Sequence, residues 1–190
     1  KMRNEVLNNR ALFGILAGYN VHIMAGHSHT QWNTVVSDNI MEHVHVAASG
    51  AWWQGKSGRD GTPAGYTVYE MDGQDVSWYY KGAGMCPDEQ FVLYRDGDML
   101  IANVFNYDPL WKVEICVDGI PAGEMERYWG ADPGAVELYP AGQNKTYPWL
   151  SYGQTHHLFR WRIKNGTDGL TVRVTDRFGN VFEKSPGTAR

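Results

Sequence analysis

Asx-Gly dipeptides recur along this chain between short runs of ring-bearing and β-branched residues, and that pattern constrains the fold more than any other feature. Tyr66-Thr-Val-Tyr-Glu-Met meets Val76-Ser-Trp-Tyr-Tyr across Asp72-Gly73. Asx-Gly accepts the positive φ angles of a two-residue hairpin turn, so the pair reads as a β-hairpin. From about Phe91 onward the pattern repeats, and no helix is expected there. Phe91–Tyr94 turns at Asp96-Gly97 into Met99–Phe105, and Trp111–Val117 turns at Asp118-Gly119. The closing strands are His157–Ile163, Leu170–Thr175 and Asn180–Glu183, separated by Asn165-Gly166, Asp168-Gly169 and Phe178-Gly179-Asn180. Strands at this spacing imply a mostly β fold built as a small antiparallel sandwich. The 13% aromatic content and 22 glycines agree with ring-rich strands and tight turns. Hydrophobic residues at 43% and charged ones at 20% suit a globular chain and argue against disorder.

The first 25 residues read differently. From Asn4 to Tyr19, the apolar residues Val6, Leu7, Leu12, Phe13, Ile15 and Leu16 recur at helical spacing, with Gly18 and Asn20 as stop signals. Val21-His22-Ile23-Met24-Ala25 follows as a short β-prone run, so this part is expected to form one helix–strand unit of an α/β layer. Val44, Val46 and Ala48 then alternate with His43, His45 and Ala47 as a further strand. The expected boundary between the two regions is Gly82–Pro87, which divides the 190 residues into 1–83 and 84–190. Lys1 falls inside the helical pattern, so the chain is expected to be a piece of a longer protein whose compartment is not written in its first residues.

Composition excludes several functions. A net charge of −4 and a pI near 6.0 do not suit a strongly basic nucleic-acid binder and supply no polybasic patch for anionic lipid. No apolar run approaches the roughly 20 residues of a membrane span, so no membrane insertion is expected. Cys86 and Cys116 lie in no metal or redox motif and read as ordinary thiols, with one bridge between them undetermined.

The sharpest chemical signature is Gly26-His27-Ser28-His29-Thr30, directly after the Val21–Ala25 run. Two imidazoles at i and i+2 leaving a strand end can be aimed at one cleft. Gly26 is expected to let the backbone turn sharply. Neutral imidazole suits Zn, Mn or Fe, and two metals about 3.5–4 Å apart can activate a water and clamp a phosphoryl group.

The stretch YNVHIMAGHSHTQWN resembles the last signature motif of the calcineurin-like metallophosphoesterases, a Gly-His-x-His after a strand. The resemblance continues through ASGAWW and DGTPAGYTVYEMDG. It extends into NVFNYDPLWKVEICVDG, DPGA, HHLFRWRI and VTDRFGN, which are similar to the C-terminal domain of one bacterial branch of the family. It implies that His27 and His29 are ligands to the two different metals of a binuclear site, with Ser28 at the variable position between them. The family's other ligands come from Asp-x-His, Gly-Asp-x-x-Asp and Gly-Asn-His-Asp/Glu motifs upstream, and none is present here. Residues 1–83 then correspond to the closing helix and strands of a metallophosphoesterase domain, and 84–190 to its β-sandwich appendix. The implied cofactors are two divalent ions (Mn, Fe or Zn) in the intact parent, which this chain on its own need not retain. The implied partners are a phosphate-ester substrate and, within the parent, the absent catalytic portion. The chain alone is expected to lack efficient phosphoesterase activity and to carry no catalytic residue of its own. The resemblance also suggests an exported bacterial protein, periplasmic or extracellular.

The remaining histidines and rings have structural roles open to them. His43 and His45 share one side of their strand and could complete a four-His site with His27 and His29, although an exposed polar strand face is the simpler expectation. His156 and His157 face opposite ways, with His157 expected to serve as a structural hydrogen-bonding residue, and His22 is expected to be a core histidine with a partner. Most of the tryptophans are expected in the core or a seam. Trp52-Trp53 is the exception, placed where it could line the mouth of a cleft. The loop Gly55–Gly65 lacks a phosphate-loop motif, which argues against nucleotide binding. Trp53, Lys56 and Arg59 are the candidate substrate contacts, and Arg177 is expected to be a solvated charge in a hairpin turn. The competing function is a noncatalytic carbohydrate- or surface-binding sandwich.

Overall fold

The computed structural model describes residues 7–164 and 169–187. Helix α1 (Asn9–Leu16) leads into β1 (Val21–Ala25), followed by a hairpin of β2 (Trp32–Ser37) and β3 (Ile40–Val44). β3 is the central strand of this small sheet. It pairs antiparallel with β2 and parallel with β1, Val21 lying opposite Ile40 and Ala25 opposite Val44. Covered on both sides, β3 buries every residue. A parallel pair needs a crossover, and residues 26–31 with β2 make that connection. The His27/His29 loop therefore leaves the C-terminal end of a parallel strand, the end at which open α/β sheets place ligand sites.

α1 is shorter than the expected helix and ends at Leu16; Asn4–Val6 lie outside the described residues. None of its residues is buried, and its apolar stripe is open. The alternating run around Val44–Ala48 leaves the ladder at Val44, although the His45 amide still donates to the Ala25 carbonyl at 2.9 Å.

The hairpin of β4 (Gly65–Asp72) and β5 (Asp75–Gly82) forms where the Asp72-Gly73 turn predicts it. The remaining elements are β6 (Phe91–Asp96), β7 (Met99–Val104), β8 (Lys112–Val117), β9 (Ile120–Glu124), β10 (Glu126–Ala131), α2 (Pro133–Leu138), β11 (Gln154–Arg162), β12 (Leu170–Thr175) and β13 (Val181–Lys184). They make two four-stranded antiparallel sheets, ordered β10-β11-β7-β6 and β13-β12-β8-β9. The fold is mostly β with antiparallel sheets and a small N-terminal helix, as the turn spacing implied. β12 shows the reason: Leu170, Val172 and Val174 point inward while Thr171, Arg173 and Thr175 alternate with them. The inward set joins Phe91, Leu100, Val113, Ile115 and Phe159 in the main core. Each such fully buried side chain contributes about 1.5–3 kcal/mol before conformational entropy is counted.

Three strands and one helix were not anticipated. β2, β9 and β10 carry Asn33, Pro121, Gly123 and Gly130, which blur a strand pattern. Helix α2 corrects the expectation of a helix-free second half. Its start is local chemistry: the Asp132 side chain accepts from the Ala135 amide at 2.8 Å, and Pro133 occupies the first turn. The turn dipeptides Asn165-Gly166 and Asp168-Gly169 fall on or beside residues 165–168, which lie outside the described residues. Cys86 is exposed, Cys116 is buried, and both are free. Among the described residues no helix is long and apolar enough to cross a membrane.

Candidate functional site

His27 and His29 sit on strained backbone. Their φ angles are 80° and 54°, and Trp52 and Trp53 in the facing loop have φ of 53° and 62°. L-residues with positive φ cost about 1–2 kcal/mol each, most for bulky side chains such as Trp, and such outliers gather at functional sites. The turn expected of Gly26 is in fact made by the histidines, since Gly26 keeps an ordinary φ and an added Cβ there would meet nothing. His29 is held from two directions. Its Nδ1 lies 2.8 Å from the Gly50 carbonyl oxygen, and its ring stacks on Trp52 with centroids 3.9 Å apart and planes 10° apart. A carbonyl only accepts, so Nδ1 carries the hydrogen and Nε2 keeps its lone pair. That is the tautomer and outer-shell contact typical of a metal-ligating histidine. His27 is exposed beside it.

The loop hangs from a buried polar cluster that reaches into the sandwich. The Asp60 carboxylate accepts from the Gln31 amide at 2.6 Å and the Thr62 amide at 3.1 Å, and lies 3.3 Å from His157 Nε2. The other ring nitrogen of His157 faces Asn103 Oδ1 at 2.6 Å, and Asn103 Nδ2 donates to both Asp132 (2.8 Å) and the Asp60 carbonyl (2.9 Å). Burial raises the Asp132 carboxyl above its usual range, against hydrogen bonds from Asn103, Ala135 and Tyr94. The Gln31 side chain donates to Asn106 at 3.0 Å, and Asn106 also accepts from Asn33. The cluster members Gln31, Asp60, Asn103, Asn106, Asp132 and His157 are all buried. His157 thus has the structural role its position suggested. The rest of the cluster was invisible in the sequence, where Asp60-Gly61 reads only as a turn and no spacing ties it to Asn103 or Asp132.

Gly58 closes the assembly. An added Cβ would lie 2.5 Å from a Val46 methyl and 2.6 Å from the His29 carbonyl oxygen. Gly58→Ala is therefore expected to cost about 1–3 kcal/mol by overpacking and to push His29 off Trp52. A thermal melt and the ring-shifted proton resonances of His29 check it; unchanged shifts would show that the loop tolerates the methyl.

The remaining candidates are scattered. Trp53 is 83% exposed. Lys56 is exposed and lines a cavity of 840 Å³ floored by Phe91, Leu93 and Phe105, which His27 and His29 do not reach. Arg59 donates its backbone N–H to the His29 carbonyl at 3.3 Å, while its Nε donates to the Ser151 carbonyl at 2.6 Å. Arg177 is not a solvated charge. It makes a two-pronged pair with fully buried Asp108 at 2.7 and 2.9 Å, and its guanidinium lies 4.9 Å from the Trp78 ring centroid.

His43 and His45 also depart from expectation. His43 is fully buried, 2.9 Å from His22 Nδ1 and 3.0 Å from Asn33 Oδ1, and His45 contacts Thr67 and Tyr69. The surface strand face becomes an interior stack because the β4–β5 hairpin supplies Tyr69 and Trp78 against these rings. His22 acquires the partner it needed. Burial, followed by the charges of His22, His45 and Arg177, lowers the pKa of His43 to about 3. An unfolded His43 would titrate near 6.5, so the unfolded chain binds more protons below that pH, and stability falls as pH drops through the window from 6.5 towards 3. Between pH 6.5 and 5, His43 alone is expected to remove about 2 kcal/mol, with burial at His22 and His45 adding in the same direction. Urea melts at pH 7, 6 and 5 measure it, and His43→Gln should flatten the slope.

Among the described residues no group of three or more His, Cys, Asp or Glu side chains gathers as a metal site, and His43 and His45 do not join His27 and His29. The H-x-H pair does fit imidazole ligation: one ring has its tautomer fixed, and the other is accessible. Two neutral imidazoles would leave the charge of divalent ions unbalanced, so a metal centre here would need carboxylates from outside this group. The family described as the C terminal of calcineurin-like phosphoesterase (MetallophosC) matches residues 42–182. That range begins after the H-x-H pair and runs through Gly82–Pro87 without interruption. No curated protein and no solved structure matches the chain. With most of its length matched and a mostly β fold bearing the H-x-H loop at a strand end, the chain belongs to the calcineurin-like phosphoesterase C-terminal family.

Proposed function

We propose that this chain is the C-terminal portion of a metal-dependent phosphoesterase, with residues 1–83 closing the catalytic domain and 84–190 forming its sandwich appendix. The observation that carries this reading is His29: Nδ1 tied to the Gly50 carbonyl, ring flat on Trp52, Nε2 left for a ligand. His27 and His29 hold divalent ions from one side, and an upstream catalytic portion supplies the carboxylates. Lewis-acid stabilisation of charge on a phosphoryl group is what ions held there contribute. The chain's own groups do the positioning. Gly50 and Trp52 fix one imidazole, Asp60 anchors the loop through Gln31, and exposed Trp53 is the candidate left free to contact substrate. Leu7, Ile15, Tyr19 and Met24, each more than half exposed on or beside α1 and β1, form the apolar face that receives the catalytic portion.

The test compares residues 1–190 with a chain extended upstream to include the catalytic portion. Metal content and hydrolysis of bis(p-nitrophenyl) phosphate are measured in Mn or Zn. The extended chain is expected to bind two ions and turn over, His27→Ala or His29→Ala to remove at least one ion and most of the activity, and residues 1–190 alone to be inactive. Metal-dependent turnover by residues 1–190, or an extended chain indifferent to both substitutions, would reject the proposal.

A further inference from the structure

We infer that the wall beside His29 is a sugar subsite, so that the phosphate ester this site takes carries a glycosyl group. The inference rests on the reading of His27 and His29 as metal ligands. It starts from Trp53, which is 83% exposed on left-handed backbone. A bulky ring held out in water on strained backbone returns nothing to packing, so its place is not explained by stability. Trp149 is 56% exposed and packs edge-on against Trp52, centroids 4.7 Å apart at 86°, with Tyr147 beyond it at 5.5 Å. A continuous line of rings thus runs from His29 through Trp52 to Trp149 and Tyr147, joining segments about 90 residues apart in sequence.

This wall is rigid. Beneath it lies a separate small core of Ala51, Ala135, Tyr139 and Leu150, against which Trp52 and Tyr147 are partly buried. The Tyr139 hydroxyl donates to the Ser57 carbonyl at 2.6 Å, and Asn144 Nδ2 reaches Gln54 Oε1 at 3.5 Å across the two loops. Asn144 also caps the amides of Thr146 and Tyr147 and so fixes the approach to Trp149.

The arrangement suits a sugar better than a planar base. Neighbouring indoles at right angles leave no parallel pair between which a base could slot. A pyranose stacks one C–H face on a single indole and offers its hydroxyls sideways, where the amide of exposed Gln54, held by half-buried Asn144, can take part in hydrogen bonds. A phosphoryl group at the His29 end with its glycosyl group along the rings uses the whole wall.

The experiment uses the full-length protein that carries residues 1–190. Methyl glycosides of glucose, galactose, mannose and N-acetylglucosamine, with adenosine as the planar counterpart, are followed by saturation-transfer NMR and tryptophan fluorescence. At least one glycoside is expected to bind. Trp53→Asn, which tolerates left-handed backbone, and Trp149→Ala should each weaken it at least tenfold. Trp53→Phe should retain it within about threefold, and Trp129→Ala, in a different ring cluster, within twofold. With a glycosyl phosphodiester the same two variants should raise KM about tenfold and leave kcat within twofold, whereas KM for bis(p-nitrophenyl) phosphate should change less. No binding by any glycoside, preference for adenosine over all of them, or wild-type binding by a folded Trp53→Asn protein would overturn the inference. Glycoside binding that persists in His27→Ala without turnover supports the subsite. Binding without any wild-type turnover would count against the hydrolytic reading alone.

Discussion

Asp60→Ala is expected to destabilise the protein by about 4 kcal/mol, because three buried donors lose their acceptor at once and each unsatisfied donor costs about 1–3 kcal/mol. These donors are the Gln31 and Thr62 amides and His157 Nε2, all met by one fully buried carboxylate. The loss is not confined to stability. Gln31 is two residues past His29, so releasing its amide frees the segment that fixes the imidazole, and metal affinity in the extended protein should fall at least tenfold. Asp60→Asn keeps the shape and one acceptor oxygen and should cost less than half as much. Urea melts of both variants with metal titrations decide the matter; an Asp60→Ala protein within 1 kcal/mol of wild type would show that water replaces the carboxylate.

Arg177→Leu carries the second large effect, about 3–5 kcal/mol, the usual cost of leaving a buried charge uncompensated. Asp108 is fully buried, and its contacts are the Arg177 guanidinium and the Leu110 amide at 2.9 Å. Removing the arginine also takes the cation from the face of Trp78, which stands edge-on to His43. The double variant Arg177→Leu/Asp108→Asn should recover at least half of the loss, because an amide is far cheaper to bury than a lone carboxylate. If the double variant were as unstable as Arg177→Leu, the packing on Trp78 rather than the charge would be responsible.

How far the sequence anticipated the structure depended on the range of the interactions. Asp72-Gly73, Asp96-Gly97 and Asp118-Gly119 specify their hairpins through local backbone preference, and all three form. The H-x-H loop was legible because strand, turn and ligand are contiguous. Helix α2 could have been found from Asp132-Pro133, a capping residue followed by proline. The reversals lie elsewhere. Asp60, Asn103 and Asp132 meet only after the sandwich has formed, and Asp108 finds Arg177 across 69 residues. Strand alternation alone places His43 on the surface, yet the ring-bearing hairpin that buries it arrives some 25 residues later. Polar side chains in these positions carry no periodic signature, since their partners are set by tertiary packing.

The hydrogen-bonded seam running from Gln31 through Asp60 and Asn103 to Asp132 has a consequence for evolution and for engineering. Between independently mobile modules, a junction can be cut and rejoined with little penalty. Here a graft at residues 83/84 would part Asp60 from Asn103 and leave orphaned donors and acceptors on both pieces. Exchange of the C-terminal piece between homologues should succeed only when the Gln31–Thr62 segment travels with it, so that the two are inherited as a matched lock and key.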